Sequence, residues 1–391
     1  MISGHLNIVL VGAAGNVAAP AHLYSLAAIP NANLYGVCDL DKSNMVRLAK
    51  QFETRAFPSL DDALADPNVQ AVDLVTPPFV HTEQAVAAAQ SGRHVYCEKP
   101  MTRSLAEADA MIDAHRIAGT TLMVGESYVF HHPNVAAKAV IERGEIGDIL
   151  HIRETKAPWL MRGEETERLD GLSHEESATW RVDPRLSGGG RFPWIMDHAP
   201  HFFAVARYFA GQTQVTSVTS HTQGTLPVVD DVLRSTATPR QTIDAVAWSF
   251  DNGIDSTWHQ VDSNPIEISD LGFSTVIHGT EGKLIAYGEG GGSAPGMNQP
   301  PAVVLYRDGK MQIIDEVNSD DRVWVSNNNY YYAAHQTALQ HWVNSILLDK
   351  QVRYSGVDGR MELAATLAAI KSALEQRTLA PADVSANWTA Y

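Results

Sequence analysis

Apolar residues in the first third of the chain fall into short runs ended by glycine, aspartate, proline or a charged residue. Ile8–Val11, Leu34–Cys38, Ala71–Val75, His94–Cys97 and Thr121–Val124 read as buried strands, too short and too uniformly apolar for amphipathic helices. Longer stretches with mixed polar and apolar positions separate them. They predict helices ending near Ala28 and spanning about Lys42–Phe52, Thr82–Ser91 and Leu105–Ala118. Strand alternating with helix predicts a doubly wound α/β domain with a parallel sheet.

After about Glu126 the pattern changes. One helix near Asn134–Arg143 is followed by strand-like segments at Ile149–Thr155, Val215–His221, Ile243–Phe250, Ser256–Val261, Ser274–His278 and Val303–Tyr306. The turns Asp251-Asn-Gly253 and Thr280-Glu-Gly282 join successive strands as hairpins, which predicts an antiparallel sheet. Two helices, about Ala333–Leu348 and Gly359–Gln376, end the pattern. The expected division is residues 1–125 and 126–391, with the last helix returning to the first domain. At 391 residues, 45% of them hydrophobic, there is material for both cores.

Charge and cysteine content narrow the function. Lys and Arg number 29 against 45 Asp and Glu, a net charge of −16. A nucleic-acid or anionic-membrane binder needs a basic face, so neither partner is expected. Cys38 and Cys97 cannot form a disulfide framework or a Cys-rich zinc site. With no signal-peptide pattern and no run of membrane-spanning length, the expectation is a cytoplasmic protein.

The turn after the first strand is the first candidate site. Gly12, Ala14, Gly15, Asn16 and Val17 lie between strand and helix, where backbone N–H groups can approach a pyrophosphate. The loop departs from G-x-G-x-x-G and reads as G-x-x-G-x-x-A, with Gly15 expected nearest the phosphates. Asp39 follows Gly15 by 24 positions and ends the second strand, the place of a ribose-binding carboxylate. A carboxylate there repels a 2′-phosphate, and Leu40 offers no arginine for one. NAD is therefore the expected cofactor.

Glu98-Lys99-Pro100 at a strand end, with Thr76-Pro77-Pro78 and His81 one strand earlier, resembles the Gfo/Idh/MocA oxidoreductases. So do Gly125–Pro133, Glu142–Ile149, Ser187-Gly-Gly-Gly190, Ile277–Gly282 and the final helix, so the likeness covers nearly the whole chain. The resemblance implies an α/β protein with an N-terminal Rossmann domain and a C-terminal α/β domain bearing a large, mostly antiparallel, open-faced sheet. It implies an active-site role for Lys99 beside the nicotinamide, with Thr76, Pro77, His81 and Glu98 on the cofactor side. It also implies a D-x-x-x-H motif after the triple glycine, for which two registers compete. Trp194/His198 follows from direct counting; Asp197/His201 needs three extra residues but is preferred for the apolar sequence that follows.

Oxidising an alcohol needs a base for its hydroxyl proton, which suits His201, while Asp197 could orient substrate. Lys99 can stabilise the developing alkoxide. Asp197, His198 and His201 are also spaced for a metal, but nicotinamide chemistry of this type needs none, and no metal is assigned. The long segment 157–191 holds Trp159, Arg162, Trp180 and Arg181, which with Tyr128, Trp194 and His198 are candidate substrate contacts. Its arginines could instead pair with its many acidic residues. His131 and His132 are read as one packed ring and one solvated ring.

The expected reaction is NAD-dependent oxidation or reduction of a hydroxyl on a sugar or sugar derivative. A redox-neutral glycoside hydrolase working through transient 3-keto oxidation is the alternative, and a non-catalytic NAD-binding regulatory protein the second. A homodimer or homotetramer is expected, with Val246, Trp248 and Phe250 buried between subunits.

Overall fold

The computed structural model describes residues 4–15, 18–156, 180, 183–226, 240–260, 274–287, 303–315 and 330–391. Leu6–Val11 (β1) is almost wholly buried, as a strand covered by helices on both faces must be. It pairs in parallel with Ala32–Cys38 (β2) on one side and Ala71–Leu74 (β4) on the other. Arg55–Phe57 (β3), His94–Glu98 (β5) and Leu122–Gly125 (β6) complete a six-stranded sheet in the order β3-β2-β1-β4-β5-β6. The order reverses between β1 and β4, which opens a crevice at the C-terminal ends of the strands. Helices Ala18–Ala28 (α1), Lys42–Gln51 (α2), Leu60–Ala65 (α3), Pro78–Gln90 (α4) and Leu105–Ala118 (α5) connect the strands.

Helix α5 has the boundaries expected from sequence because both ends are chemically marked. Ser104 accepts from the Glu107 N–H at the start, and Gly119 takes the left-handed conformation that ends it. The pair β3 and α3 was not anticipated, although Ser59 caps the start of α3 by accepting from the Asp62 N–H, because α3 is only six residues long. β3 is three residues long with only Phe57 buried, so it carries no apolar run to read.

The second sheet contains Ile149–Lys156 (β7), Val215–Leu226 (β8), Arg240–Phe250 (β9), Asp255–Gln260 (β10), Ser274–Gly279 (β11), Gly282–Tyr287 (β12), Val303–Arg307 (β13) and Lys310–Asp315 (β14). Its order is β14-β13-β12-β11-β7-β10-β9-β8. Neighbours are antiparallel except β10 and β7, which run parallel. The sheet is thus mostly antiparallel, as expected, with one parallel pair at its centre because β7 enters there and its neighbours arrive by longer connections. Helices His132–Glu142 (α6), Pro184–Ser187 (α7), Pro193–Ala210 (α8), Tyr330–Leu347 (α9) and Gly356–Glu375 (α10) follow, with 3-10 turns at Ser127–Phe130 and Pro381–Asp383.

Helix α8 covers the apolar face of this sheet. Phe202 stacks on Trp258 at 4.7 Å between ring centroids, and Phe203 meets Trp248 at 4.7 Å. This corrects one expectation. Val246, Trp248 and Phe250 are buried in the chain's own core, not held for a partner subunit. Strand alternation identified an apolar face, but α8, on the same chain, is what covers it.

Helices α9 and α10 come from the end of the chain yet complete the first sheet. α9 packs on α1; α10 packs on α5 and β6 as well as on α8 and β8. The approach to β6 is close enough to require glycine. A Cβ on Gly359 would lie 2.6 Å from Val124 Cγ2, and one on Gly356 2.7 Å from Leu122 Cδ2. Gly359→Leu is therefore expected to destabilise the protein by about 1–3 kcal/mol through overpacking. Thermal unfolding of the variant checks this, and a melting temperature equal to wild type would contradict the packing described. Among the described residues no helix is long and apolar enough to cross a membrane.

Candidate active site

The crevice side of the parallel sheet begins with the turn after β1. Gly12 has φ +86, and a Cβ on it would sit 2.9 Å from the Val75 carbonyl carbon and oxygen. Its N–H donates to Cys38 O at 2.9 Å, which ties the turn to the end of β2. Gly15 donates to Gly12 O at 3.0 Å and has ordinary backbone geometry. Gly12, more than Gly15, is where only glycine fits. Asp39 lies beside this turn: one carboxylate oxygen accepts from the Ala14 N–H and the other from the Asp41 N–H, each at 2.8 Å.

These residues fit a dinucleotide. The cradle is one that a Cβ would fill, α1 has no acidic residue in its first turn, and a carboxylate stands where a ribose diol would donate. Asn16 and Val17, expected in the same turn, lie outside the described residues. Thr76 donates its hydroxyl proton to Gln84, and Pro77 is the N-cap residue of α4. His81 is fully buried, with its ring nitrogens 2.6 Å from Thr76 O and 3.0 Å from Met101 O. It braces two loops from within, and burial lowers its pKa.

Lys99 follows β5 directly, and its bond to Pro100 is cis. The ammonium donates to Asp197 O at 3.1 Å and to Asp197 Oδ1 at 3.2 Å. Asp197 stands on α8, so this contact joins the two sheets' domains at the crevice. One helical turn on, His201 Nδ1 lies 2.8 Å and 2.9 Å from the two carboxylate oxygens of Glu126. The Tyr128 ring stacks on His201 with centroids 3.9 Å apart and planes within 10°. His131 stacks on Tyr128's ring at 4.5 Å.

Burial sets the charge states around His201. Glu126 is completely buried, which pushes its pKa up to about 7 against the opposing pull of the Tyr128 N–H and the Lys99 cation. Burial, with the nearby His201, pushes His131 down to about 3, so that ring is neutral. His131 is thus the packed ring of its pair, and His132 is partly exposed. His198 Nε2 lies 3.5 Å from Asp197 Oδ2. Of the two registers for D-x-x-x-H, Asp197/His201 is the one that meets Lys99 and Glu126. The side chain of Trp194 lies outside the described residues, as do Trp159, Arg162 and Arg181; Trp180 is partly buried.

Glu126 was not anticipated from sequence. Its signal was present: a lone acid inside the apolar stretch Leu122–Phe130, where an unpaired charge is costly. The constellation can hold a hydroxyl between a fixed imidazole and a cation, beside the end of a dinucleotide-binding sheet.

Comparison with known proteins bears on the family and the fold. Residues 6–126 match the family described as "Oxidoreductase family, NAD-binding Rossmann fold" (GFO_IDH_MocA), and residues 134–285 match "GFO/IDH/MocA C-terminal domain". The chain is 34% identical over 149 residues to levoglucosan dehydrogenase of Pseudarthrobacter phenanthrenivorans, a stretch covering 38% of this chain and 34% of that protein. It is 27% identical over 325 residues to 1,5-anhydro-D-fructose reductase of Ensifer adhaerens, covering 82% of each. A crystal structure of an oxidoreductase from Agrobacterium radiobacter in complex with NAD+, L-tartaric acid and magnesium superposes with a TM-score of 0.77. The identity is 20%, covering 97% of this chain and 100% of that one, a likeness of fold.

Proposed function

The chain belongs to the Gfo/Idh/MocA family of NAD-binding oxidoreductases, and from that premise we propose that it oxidises a hydroxyl on a sugar or sugar derivative, and reduces the ketone in reverse. The observation that carries this reading is the joined set Lys99–Asp197 and His201–Glu126 at the mouth of the dinucleotide crevice. The named relatives, a levoglucosan dehydrogenase and a 1,5-anhydro-D-fructose reductase, support a carbohydrate substrate.

Bound NAD supplies the hydride acceptor at nicotinamide C4. Gly12, Ala14 and the start of α1 would hold its pyrophosphate and Asp39 its ribose diol. Glu126 accepts the Nδ1 proton of His201, which leaves Nε2 with the lone pair that takes the hydroxyl proton. Lys99 donates to the same oxygen as it becomes an alkoxide. Asp197 fixes the Lys99 ammonium on the α8 side, and the Tyr128 ring holds the imidazole plane.

Glu126 gives this mechanism a pH signature. Below about pH 7 its carboxyl is protonated and holds the Nδ1 proton less firmly, so kcat/KM is expected to rise with pH through about 7. The limb belongs to the Glu126–His201 pair as a unit. Glu126→Gln is expected to lower kcat by about 100-fold and to remove that limb. An unaltered profile in the variant would exclude Glu126 from this role.

The whole assignment is tested by screening sugars, sugar acids and aryl glycosides with NAD while following NADH and released aglycone together. NADH formed in proportion to turnover supports the dehydrogenase. Aglycone released with no net NADH assigns the redox-neutral glycosidase route instead. Tight NAD binding with neither signal points to a regulatory protein.

A further inference from the structure

Behind the proposed site, four buried polar side chains from four different elements meet. His22 (α1) and Asp73 (β4) are 0% exposed, Glu98 ends β5, and His335 (α9) is 2% exposed. His22 Nδ1 lies 2.8 Å from Asp73 Oδ2, and its Nε2 lies 3.2 Å from Glu98 Oε1 and 3.1 Å from His335 Nδ1. The other oxygen of Glu98 accepts the Lys99 N–H at 3.2 Å.

We infer that His22 is a positioning residue for the Lys99 strand end: backed by Asp73, its ring grips Glu98, and Glu98 in turn fixes the Lys99 main chain at the crevice. The inference rests on Lys99 acting at the reacting oxygen. His22 is too deeply buried to touch substrate or cofactor, so whatever it does for the reaction passes through Glu98.

The proton count follows from the partners. Both ring nitrogens face carboxylates, and a carboxylate accepts, so each nitrogen carries a proton and the ring is a cation. Burial opposes that charge, but Asp73 and Glu98 outweigh it together and raise the His22 pKa to about 10. Burial and the His22 cation push His335 down to about 3, so His335 Nδ1 accepts from His22 as a neutral ring. Of the other titratable neighbours, burial raises the Asp73 pKa against the pull of His22, while His22, His335 and Lys99 outweigh burial at Glu98 and lower its pKa. Burial pushes the Cys97 thiol up and His81 down, so both are neutral, and Tyr96 meets His22 edge to face. The cluster therefore holds two carboxylates and one imidazolium, and its surplus negative charge lies beside the Lys99 ammonium.

Without His22 the two carboxylates face each other in a dry interior, and one must take up a proton. Glu98 is then released from its oriented position, and the hold on the Lys99 N–H goes with it. A displacement of about 1 Å in a reacting group costs about 100-fold in rate.

Among the described residues this is also the one His/Cys/Asp/Glu group spaced for a metal ion, with His22, Glu98 and His335 as the set. A metal there would need His22 Nε2 deprotonated, so the two readings exclude each other.

The experiment uses full-length wild type, His22→Asn and His22→Ala on a sugar turned over by wild type. The variants are expected to lose about 100-fold in kcat while KM and the NAD dissociation constant stay within about threefold. Added imidazole is expected to restore part of the kcat of His22→Ala by refilling the cavity. A folded pKa near 10 against an unfolded value near 6.5 gives stability fully present below pH 6.5 and lost as pH rises toward 10. Wild-type melting temperature should therefore fall over that window, and the fall should be smaller in His22→Asn. If neither His22 variant folds, the near-isosteric Asp73→Asn is expected to lower kcat and to move the stability loss to lower pH.

Unchanged kcat, a kcat loss that imidazole does not relieve, or one equivalent of transition metal in purified wild type would each overturn the inference. A wild type that turns over no sugar would count against the functional reading instead, while the pH dependence of stability would still test the His22 cation.

Discussion

Lys99→Met is expected to lower kcat by about three orders of magnitude while NAD affinity changes little. Methionine keeps most of the apolar stem and removes only the cationic head that reaches Asp197, so the variant isolates the ammonium. Two effects add. The alkoxide loses a charged donor that strengthens only as charge develops, so the loss falls on kcat more than on KM. Asp197 also loses its cation while remaining only 14% exposed, and its carboxylate then repels the same developing charge. Single-turnover NADH formation is the suitable measurement, because product release cannot mask the chemical step there. A variant within about tenfold of wild type would remove Lys99 from the mechanism.

His201→Ala is expected to cost about 10³-fold in kcat, within the usual range for a lost general base. Its distinguishing feature is how the remaining rate depends on pH. With the imidazole gone, the hydroxyl proton must leave to solvent, so the residual rate should climb with pH where wild type has levelled off above about 7. Glu126, without its partner, sits in an apolar surround and takes up a proton, so the fold is expected to tolerate the change at neutral pH. A residual rate independent of pH would show that another group removes the proton.

The parallel sheet was readable because each buried strand is a short apolar run with a sharp chemical end, such as Val11 before Gly12 or Cys38 before Asp39. β12 and β14 were missed for a different reason. Gly282–Tyr287 mixes buried and half-buried positions, and Lys310–Asp315 is an edge strand with Met311 and Ile313 exposed, so neither shows alternation strong enough to stand out. Their pairing is dictated by β11 and β13 next to them, which is tertiary information.

The site divides in the same way. Lys99, Asp197 and His201 sit in local patterns that the family resemblance made recognisable, and the fold brings Lys99 and Asp197 into contact. Glu126 and His22 act through partners 75 and 51 positions away, and no spacing rule connects such residues. What can be read for both is the anomaly of a polar group in an apolar surround. Such a group has to find a partner somewhere in the fold, because leaving it unpaired there is expensive.

The close seat of Gly356 and Gly359 on β6 bears on how the protein is made. Val124 N–H donates to Tyr354 O at 3.0 Å, so the last strand of the first sheet is closed by a segment more than two hundred residues later. During synthesis the ribosome releases β6 long before α10 exists. Until then that strand stays an open edge, with Leu122 and Val124 uncovered. The N-terminal third matches a family domain of its own but is not a finished body when it emerges, and a helix translated more than two hundred residues later completes it.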